Sequence, residues 1–206
     1  MISSNQFLRQ SSTSYTFAVL AGLAMLLLTP ASRAQEFNLQ IEQVQTKIEF
    51  SLGSTLHTVH GTFALKSGAI RFDPSSGKID GEIIVDAASG QSGSAMRDDR
   101  MHREILESAK FPEIVFTPTK VAGVIAAEGN SKLQVSGRFR LHGQDREVTF
   151  PVEFEAEGKT LRIVSQFEIP YLQWGLKNPG NFFLHVSDKV AVDIHAMGRL
   201  QSGEIR

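Results

Sequence analysis

The stretch VSGRFRLHGQDREVTFPVEF, residues 135–154, decides the fold class of this chain. Its first run alternates the apolar Val135, Phe139 and Leu141 with polar side chains, and its second run does the same from Val148 onwards. A period of two places one face of a strand in apolar surroundings and the other in water. The short HGQD segment between the runs is typical of a turn, so the stretch predicts a hairpin of antiparallel strands.

The same alternation recurs on both sides of this hairpin. Turn signals rich in glycine, serine and asparagine separate the runs at short intervals, which favours antiparallel neighbours. About eight strands with one apolar face each must close on themselves or stack as two sheets. Pro151 interrupts one run and predicts an edge, a bulge or a strand end, because proline cannot donate to a ladder. The other alternating apolar positions are Ile48, Phe50, Leu52, Val59, Phe63, Leu65, Val190, Val192, Ile194 and Ala196.

One segment departs from the β pattern and predicts a helix. Residues 95–110, AMRDDRMHREILESAK, place Met101, Ile105 and Ala109 on one face with Leu106 beside them, and a proline follows shortly after. A lone amphipathic helix in a β protein has two interpretations. It plugs a sheet as ordinary core, or it covers the mouth of a barrel that holds an apolar ligand.

Arg97 and Asp98 stand at the beginning of this predicted helix. They would anchor a helical lid to the barrel rim if the arginine makes a bidentate contact there. The alternative is a solvated surface pair, which contributes less than about 1 kcal/mol.

Residues 1–34 have the order of a secretory signal peptide. A polar beginning that contains Arg9 precedes an apolar run at 16–28, and small residues precede a predicted cleavage after Ala34. The apolar run is shorter than the roughly 20 residues of a membrane-spanning helix, and an uncleaved anchor is the alternative. We therefore expect one mature domain, residues 35–206, in the periplasm or secreted.

The composition of the mature chain excludes several function classes. Cleavage of the signal peptide removes Arg9 and Arg33, so 19 of the 21 basic residues remain beside 22 acidic ones. The mature chain therefore lacks the excess of positive charge that is typical of nucleic-acid-binding proteins. The chain has no cysteine, so it has no disulfide, thiol chemistry or thiolate zinc site. Its six histidines follow no metal-binding spacing, and it has neither a GxSxG motif nor a phosphate-binding glycine loop. We expect no metal, no cofactor and no catalytic residue.

A set of short motifs occurs in a fixed order along the chain. They are HGTF (60–63), GAIRFDP (68–74), RD with MH (97–98 and 101–102), FPEIVF (111–116), VSG with LHG (135–137 and 141–143), EV (147–148) and VSDKV (186–190). In these motifs the chain resembles the YceI-like family of exported bacterial polyisoprenoid-binding proteins. The resemblance implies a lipocalin-like antiparallel barrel of eight strands, with one amphipathic helix over its mouth and room for one slender apolar ligand. The family has no established catalytic residues. Two loops, at 88–93 and 170–175, depart from its pattern.

The resemblance implies that the barrel encloses an isoprenoid-type lipid, such as a polyprenyl or quinone tail. Two alternatives stay open: a lipid-directed hydrolase or isomerase, and a structural or stress-related envelope protein whose barrel is filled by its own side chains. A transient membrane contact and a dimer also stay open. The side chains expected to contact the lipid are Phe50, Leu52, Phe63, Met101, Ile105, Val135, Phe139, Leu141, Val148, Phe150, Trp174, Val192 and Ile194.

Overall fold

Nine strands and one short helix form the part of the chain that the computed structural model describes, residues 36–73, 76–126, 128–180 and 185–202. The predicted signal peptide, its cleavage site and the domain boundary lie outside these residues. The strands are β1 (Phe37–Ile41), β2 (Lys47–Gly53), β3 (Thr58–Asp73), β4 (Lys78–Gln91), β5 (Glu113–Gly123), β6 (Gly129–Leu141), β7 (Gln144–Glu157), β8 (Thr160–Ile169) and β9 (Val190–Ser202).

The nine strands close into an antiparallel barrel with eight positions around its wall, as the sequence predicts. The eighth position is shared by two strands. Ile48 of β2 pairs with Phe63 of β3 and with Ile194 of β9, and β1 pairs with the other halves of the same two strands. We call the end with the β2–β3 and β6–β7 turns the upper end; β1 lies at the lower end.

The predicted β6–β7 hairpin has a two-residue turn, His142 and Gly143. Both residues have positive φ, 53° and 71°, as a type I′ turn requires. Pro151 lies in β7 at a local edge: it pairs with β6, but the ladder to β8 begins only at Glu153 and Val164. The Ser165 hydroxyl donates to the Pro151 carbonyl at 2.6 Å, where a ladder bond would otherwise lie.

The helix is shorter than predicted. The α-helix α1 (Ala95–Arg100) passes directly into a π-helical turn, Met101–Ile105, whose wider winding is closed by the bond from the Leu106 amide to the Met101 carbonyl at 2.8 Å. Glu107 then takes a left-handed φ of 46° and ends the helix. The prediction that Ala109 lies on the buried face is therefore wrong, because Ala109 is exposed. None of the helices in the described residues is long and apolar enough to cross a membrane.

Two clusters of buried apolar side chains fill part of the barrel. The upper cluster joins the helical segment and the segment after β8 to the barrel wall, and the lower cluster lies between β1, β2, β3 and β9. The upper cluster is Leu106, Phe139, Leu141, Phe150, Ile169, Tyr171 and Leu176, and the lower one is Ile41, Ile48, Leu65 and Ala196.

Candidate functional site: an apolar barrel interior

The barrel interior contains two cavities of about 410 Å³ and about 430 Å³, in its upper and lower halves. Each has the volume of a small-molecule site. Six residues line both cavities, each on a different strand, so they form a ring across the barrel that we call the waist. The waist residues are Ile48, Val85, Ile114, Phe139, Phe167 and Ile194.

The upper cavity lies between the helical segment, the β2–β3 turn and the segment after β8. Most of its polar side chains lie at the rim, namely Ser54, His57, Ser92, Arg97 and Arg100, and Glu49 lines it from β2. Tyr171, just after β8, also lines this cavity; its hydroxyl donates to the Ser187 carbonyl at 2.7 Å, and burial raises the pKa of this phenol. The upper cavity therefore has an apolar depth and a polar mouth.

The lower cavity is apolar throughout. Among the described residues that line it, none has a charged side chain, and only Thr46 and Ser165 carry a hydroxyl. Both hydroxyls already donate to backbone carbonyls: Thr46 to Glu42 at 2.7 Å and Ser165 to Pro151 at 2.6 Å. A ligand in this cavity finds no free polar group, so the cavity suits hydrocarbon and disfavours charge.

Aromatic rings join the waist to the upper core. Phe150 stacks on Phe167 with centroids 3.8 Å apart, and its edge meets Phe139 at 5.8 Å. Phe139 in turn lies 5.7 Å from Trp174, and Phe116 lies 5.4 Å from Phe150. Each such pair adds about 0.5–1.5 kcal/mol beyond the area it buries, so these contacts stabilise this side of the barrel wall.

Most of the side chains predicted to contact lipid do line a cavity, and their role in binding stays a prediction. Two of them line neither cavity: Val148 and Trp174 pack against the upper core. Phe139 and Ile194 line both cavities, and Val135 and Phe150 line the lower one. The upper cavity alone is lined by Phe50, Leu52, Phe63, Met101, Ile105, Leu141 and Val192.

The sequence interpretation named no lining residue on β4, β5 or β8, although Val85, Ile114 and Phe167 line both cavities. The clearest missed signal is that of β8. β8 alternates Leu161, Ile163, Ser165 and Phe167 with outward-facing residues, in the same pattern as β6 and β7, and all four line the lower cavity. Phe167 also belongs to the waist. A count of period-two positions through residues 160–169 would have found them.

Arg97 and Asp98 both hold the chain segment that leads into the helix. The Arg97 guanidinium donates to the Ser92 hydroxyl at 3.1 Å and to the Ser92 carbonyl at 2.9 Å, and Asp98 accepts from the Ser92 amide at 2.7 Å. The hydrogen bond from the Ser92 hydroxyl lowers the pKa of Asp98. Arg97 lines the upper cavity and Asp98 does not. Their role as lid anchors stays a prediction.

A second attachment joins the helical segment to β4. His102 donates from Nε2 to the Gly90 carbonyl at 2.9 Å, and its Nδ1 lies 3.3 Å from the Ser108 hydroxyl. Gly90 has no room for a side chain: a Cβ there would lie 2.5 Å from the Phe63 ring and 2.8 Å from the Met101 Cε. Met101 of the helical segment thus lies close to Gly90 of β4 and to Phe63 of β3, and the side chains of Met101 and Phe63 both line the upper cavity.

Histidine–carboxylate pairs occur only away from the cavities in the described residues. His142 lies 3.0 Å from Glu107, and His195 lies 3.1 Å from Asp193, and these four residues line neither cavity. Within the same described ranges, no three histidine or acidic side chains are grouped as a metal ion would need. The hydrolase or isomerase alternative therefore gains no base from these pairs. The filled-barrel alternative is likewise not supported by an interior with two cavities.

Comparisons with known proteins agree with this architecture. Residues 39–197 match the model of the YceI-like domain. A UPF0312 protein of Pseudomonas putida strain W619 is 30% identical over 149 residues, which is 70% of this chain and 74% of that protein. A UPF0312 protein of Vibrio vulnificus strain YJ016 is 27% identical over 147 residues, 68% of this chain and 75% of that protein.

Two solved structures share the fold at low sequence identity. BcnA of Burkholderia cenocepacia has a TM-score of 0.64 at 18% identity, covering 76% of this chain and 98% of BcnA. A polyisoprenoid-binding domain of Saccharophagus degradans, implicated in plant cell wall breakdown, has a TM-score of 0.60 at 13% identity, covering 79% of this chain and 98% of that domain.

Proposed function

We propose that this chain, which belongs to the YceI-like family, is a binding protein that encloses the apolar tail of an isoprenoid-type lipid in its barrel. One observation carries the proposal: two largely apolar cavities share the waist, and among the described lining residues the ionisable side chains of Glu49, His57, Arg97, Arg100 and Tyr171 belong to the upper cavity alone. The name of the similar Saccharophagus degradans domain supports the lipid class.

Burial of the tail drives binding. Each Å² of apolar surface removed from water contributes about 25 cal/mol, and the losses of chain freedom and of overall motion reduce the net gain. Because the lower cavity has no charged side chain among its described lining residues, the tail lies there. The polar end of the lipid lies at the upper mouth, beside Arg97, Arg100 and His57.

The waist allows a slender chain and disfavours a bulky one. Its six side chains come from six strands of the barrel, and two of them are phenylalanines held by the aromatic contacts described above. A flexible isoprenoid tail passes such a ring by rotating about its single bonds.

Lipid extraction tests the proposal directly. The full chain is purified without detergent, extracted with organic solvent and examined by mass spectrometry, and the delipidated protein is then offered a polyprenol or a ubiquinone. We expect a co-purified isoprenoid lipid, or uptake of one of the two at a ratio of about one per barrel. Delipidated protein that takes up neither, in a sample shown to be folded by circular dichroism, refutes the proposal.

The proposed site of action is the periplasm or the exterior. The order of residues 1–34 supports export, and a binding protein for membrane lipids would act there through transient contact with a bilayer. Fractionation of cells that express the full chain, with N-terminal sequencing of the mature protein, tests the localisation. We expect an N-terminus at Gln35; retention of the first 34 residues in a membrane fraction favours the anchor, and in a soluble cytoplasmic fraction it refutes export.

A further inference from the structure

We propose that the upper mouth of the barrel docks on an anionic lipid bilayer, with the side chains of Leu56 and Met96 inserted among the lipids, so that the ligand passes between membrane and cavity without crossing water. This docking rests on the proposed function, because the docked mouth takes up the same lipid. It assigns the bilayer contact to one face of the protein and gives two exposed apolar side chains a partner.

Leu56 stands at the tip of the β2–β3 turn and is 77% exposed. The turn is closed by the Ser54 amide and hydroxyl, which donate to the His57 carbonyl at 3.1 Å and 2.7 Å. The Thr55 amide also donates to the His185 carbonyl at 3.0 Å, which fixes the turn to the segment after β8. An apolar side chain on a fixed turn inserts into an apolar medium without losing backbone freedom.

Met96 belongs to a second element that borders the same cavity. It lies in the first turn of α1 and is 83% exposed. Arg100 follows it by four residues, so the two side chains share a helix face, and Arg100 lines the upper cavity. In the same way, Leu56 directly precedes His57, which lines the cavity from the turn. Leu56 and Met96 do not line the cavity themselves, so both project from its rim into solvent.

The charge of the upper cavity suits a surface of lipid phosphates. Arg97 and Arg100 line it. Glu49, which supplies the carboxylate among its described lining residues, pairs with Lys47 at 2.8 Å. Arg100 lies 3.2 Å from Glu104 in an exposed pair, which contributes little to stability and which a lipid phosphate can replace.

The carboxylates of α1 are engaged away from the cavity. Asp98 accepts from the Ser92 amide at 2.7 Å, and Asp99 pairs with Arg103. Neither aspartate lines the upper cavity. The arginines of α1 that line the cavity are therefore free to meet anionic headgroups at the mouth.

The remaining exposed large apolar side chains of the described residues, Val44, Val124 and Ile125, lack such a setting. Val44 lies between β1 and β2 and lines neither cavity. Val124 and Ile125 follow β5 at the lower end, where no described lining residue of the cavity is charged. Within the part of the chain that the structure describes, exposed apolar side chains and cavity-lining arginines thus occur together at the upper mouth.

A bilayer fits these two side chains better than a second protein does. Leu56 and Met96 protrude from separate elements, and together they offer far less than the roughly 800 Å² that each partner buries in a stable protein interface. Fluid lipids close around each protruding side chain, and an anionic surface attracts Arg97 and Arg100.

The first test uses the absence of cysteine in the chain. Single variants Leu56→Cys, Met96→Cys and Val124→Cys are labelled with an environment-sensitive fluorophore and mixed with phosphatidylglycerol or phosphatidylcholine vesicles. We expect blue-shifted emission and quenching by nitroxide-labelled lipids at positions 56 and 96, and neither at position 124. Phosphatidylcholine should give less than about a fifth of the response, because its surface carries no net charge.

The label reports contact at its own position, and all variants are expressed as the full chain, so residues 1–34 contribute equally to each. An equal response at position 124, or no response at positions 56 and 96, refutes the docking. A response that needs no vesicles and rises with protein concentration means that a second copy covers the mouth, and it overturns the proposal as well.

The second test measures lipid transfer. The double variant Leu56→Ser with Met96→Ser is compared with Val44→Ser with Val124→Ser, which replaces two exposed apolar side chains that line neither cavity. Each is loaded with a polyprenol, and transfer to phosphatidylglycerol vesicles is followed. We expect the first variant to slow transfer at least about tenfold, because two apolar side chains no longer leave water, and the second to stay within about twofold of the unchanged protein.

The affinity of both variants for a dispersed short prenyl alcohol should equal that of the unchanged protein, since the replaced side chains line neither cavity. Equal transfer rates with intact alcohol binding refute the docking face and leave the proposed function standing. If the unchanged protein binds no prenyl alcohol, the proposed function fails, and the fluorophore responses at positions 56 and 96 still decide whether the mouth docks on a bilayer.

Discussion

Gly90→Ala is the most direct test of how the helix covers the upper cavity. The new methyl group would lie 2.5 Å from the Phe63 ring and 2.8 Å from the Met101 Cε, so one of these side chains must move. Overpacking of this kind costs about 1–3 kcal/mol. Because Met101 belongs to the helical segment, the simplest relief is that this segment lifts, which also weakens the 2.9 Å bond from His102 to the Gly90 carbonyl.

We expect this overpacking to destabilise the docking of the helix and to leave the stability of the barrel unchanged. A change of 1–3 kcal/mol in the closing of the helix corresponds to a roughly five- to 150-fold rise in its open population. Hydrogen exchange would show this as faster exchange of the amides in residues 98–106, with unchanged rates in β6 and β7. Release of a bound polyprenol, measured by transfer to vesicles, should accelerate by a similar factor.

Gly53→Ala is the matched control. Gly53 ends β2 at the same upper rim, its φ is not positive, and a Cβ there would meet nothing within 4 Å. Both substitutions restrict the unfolded chain in the same way, so their difference isolates the contact with the helix. We expect Gly53→Ala to change stability by less than about 0.5 kcal/mol. If Gly90→Ala matches this control in exchange and in release, the helix does not depend on this contact and the reasoning is wrong.

Three further predictions follow from the described contacts. Arg97→Ala removes two hydrogen bonds to Ser92 and should speed both ligand release and hydrogen exchange of the helix amides, while the denaturation midpoint of the barrel stays unchanged. Arg162→Ala, which replaces an exposed arginine on β8, is the control and should change neither ligand release nor helix exchange. If Arg97→Ala unfolds the whole domain, the helix is part of the core and not a lid. Phe167→Ala removes a ring from the waist and should destabilise the barrel by about 3–5 kcal/mol in urea denaturation. A loss below about 1 kcal/mol would contradict a stabilising role for the contact of Phe167 with Phe150. The lowered pKa of Asp98 means that its contribution to helix docking is present above its unfolded pKa and is lost as pH falls through the folded value. The protection of the helix amides, relative to the exchange rate of an unstructured chain at the same pH, should therefore fall on acidification below about pH 4. Asp98→Asn should remove that dependence.

The strands could be predicted from the sequence because burial on one face leaves a period of two. Phe139 and Leu141 were placed correctly on the inner face for this reason, and β8 carries the same signal in Ile163 and Phe167. One-sided strands must close or stack, so the alternation alone left the barrel and the sandwich open, and the resemblance to the YceI-like family implied the eight-stranded barrel. The sequence pattern does not predict that β1 and β2 share one position of the barrel wall, because this depends on how both strands pair with β3 and with the distant β9.

The helix shows where periodicity is insufficient. An apolar stripe at Met101 and Ile105 fits an α-helix through Ala109, and it fits equally a helix that widens at Met101 and stops at Glu107. The choice is made by tertiary contacts: Glu107 meets His142 at 3.0 Å in the β6–β7 turn. The same limit applies to Trp174, whose ring packs beside Phe139 and not into a cavity.

The shared barrel position of β1 and β2 has a consequence for the order of folding. β1 and β2 both pair with β9, the last strand of the chain, so the wall closes only through contacts between its two ends. Contacts of such high sequence separation form slowly, because the loop entropy must be lost before they form. During synthesis on the ribosome, the chain therefore carries open strand edges until β9 emerges. A truncation before Val190 should consequently aggregate instead of yielding a smaller barrel.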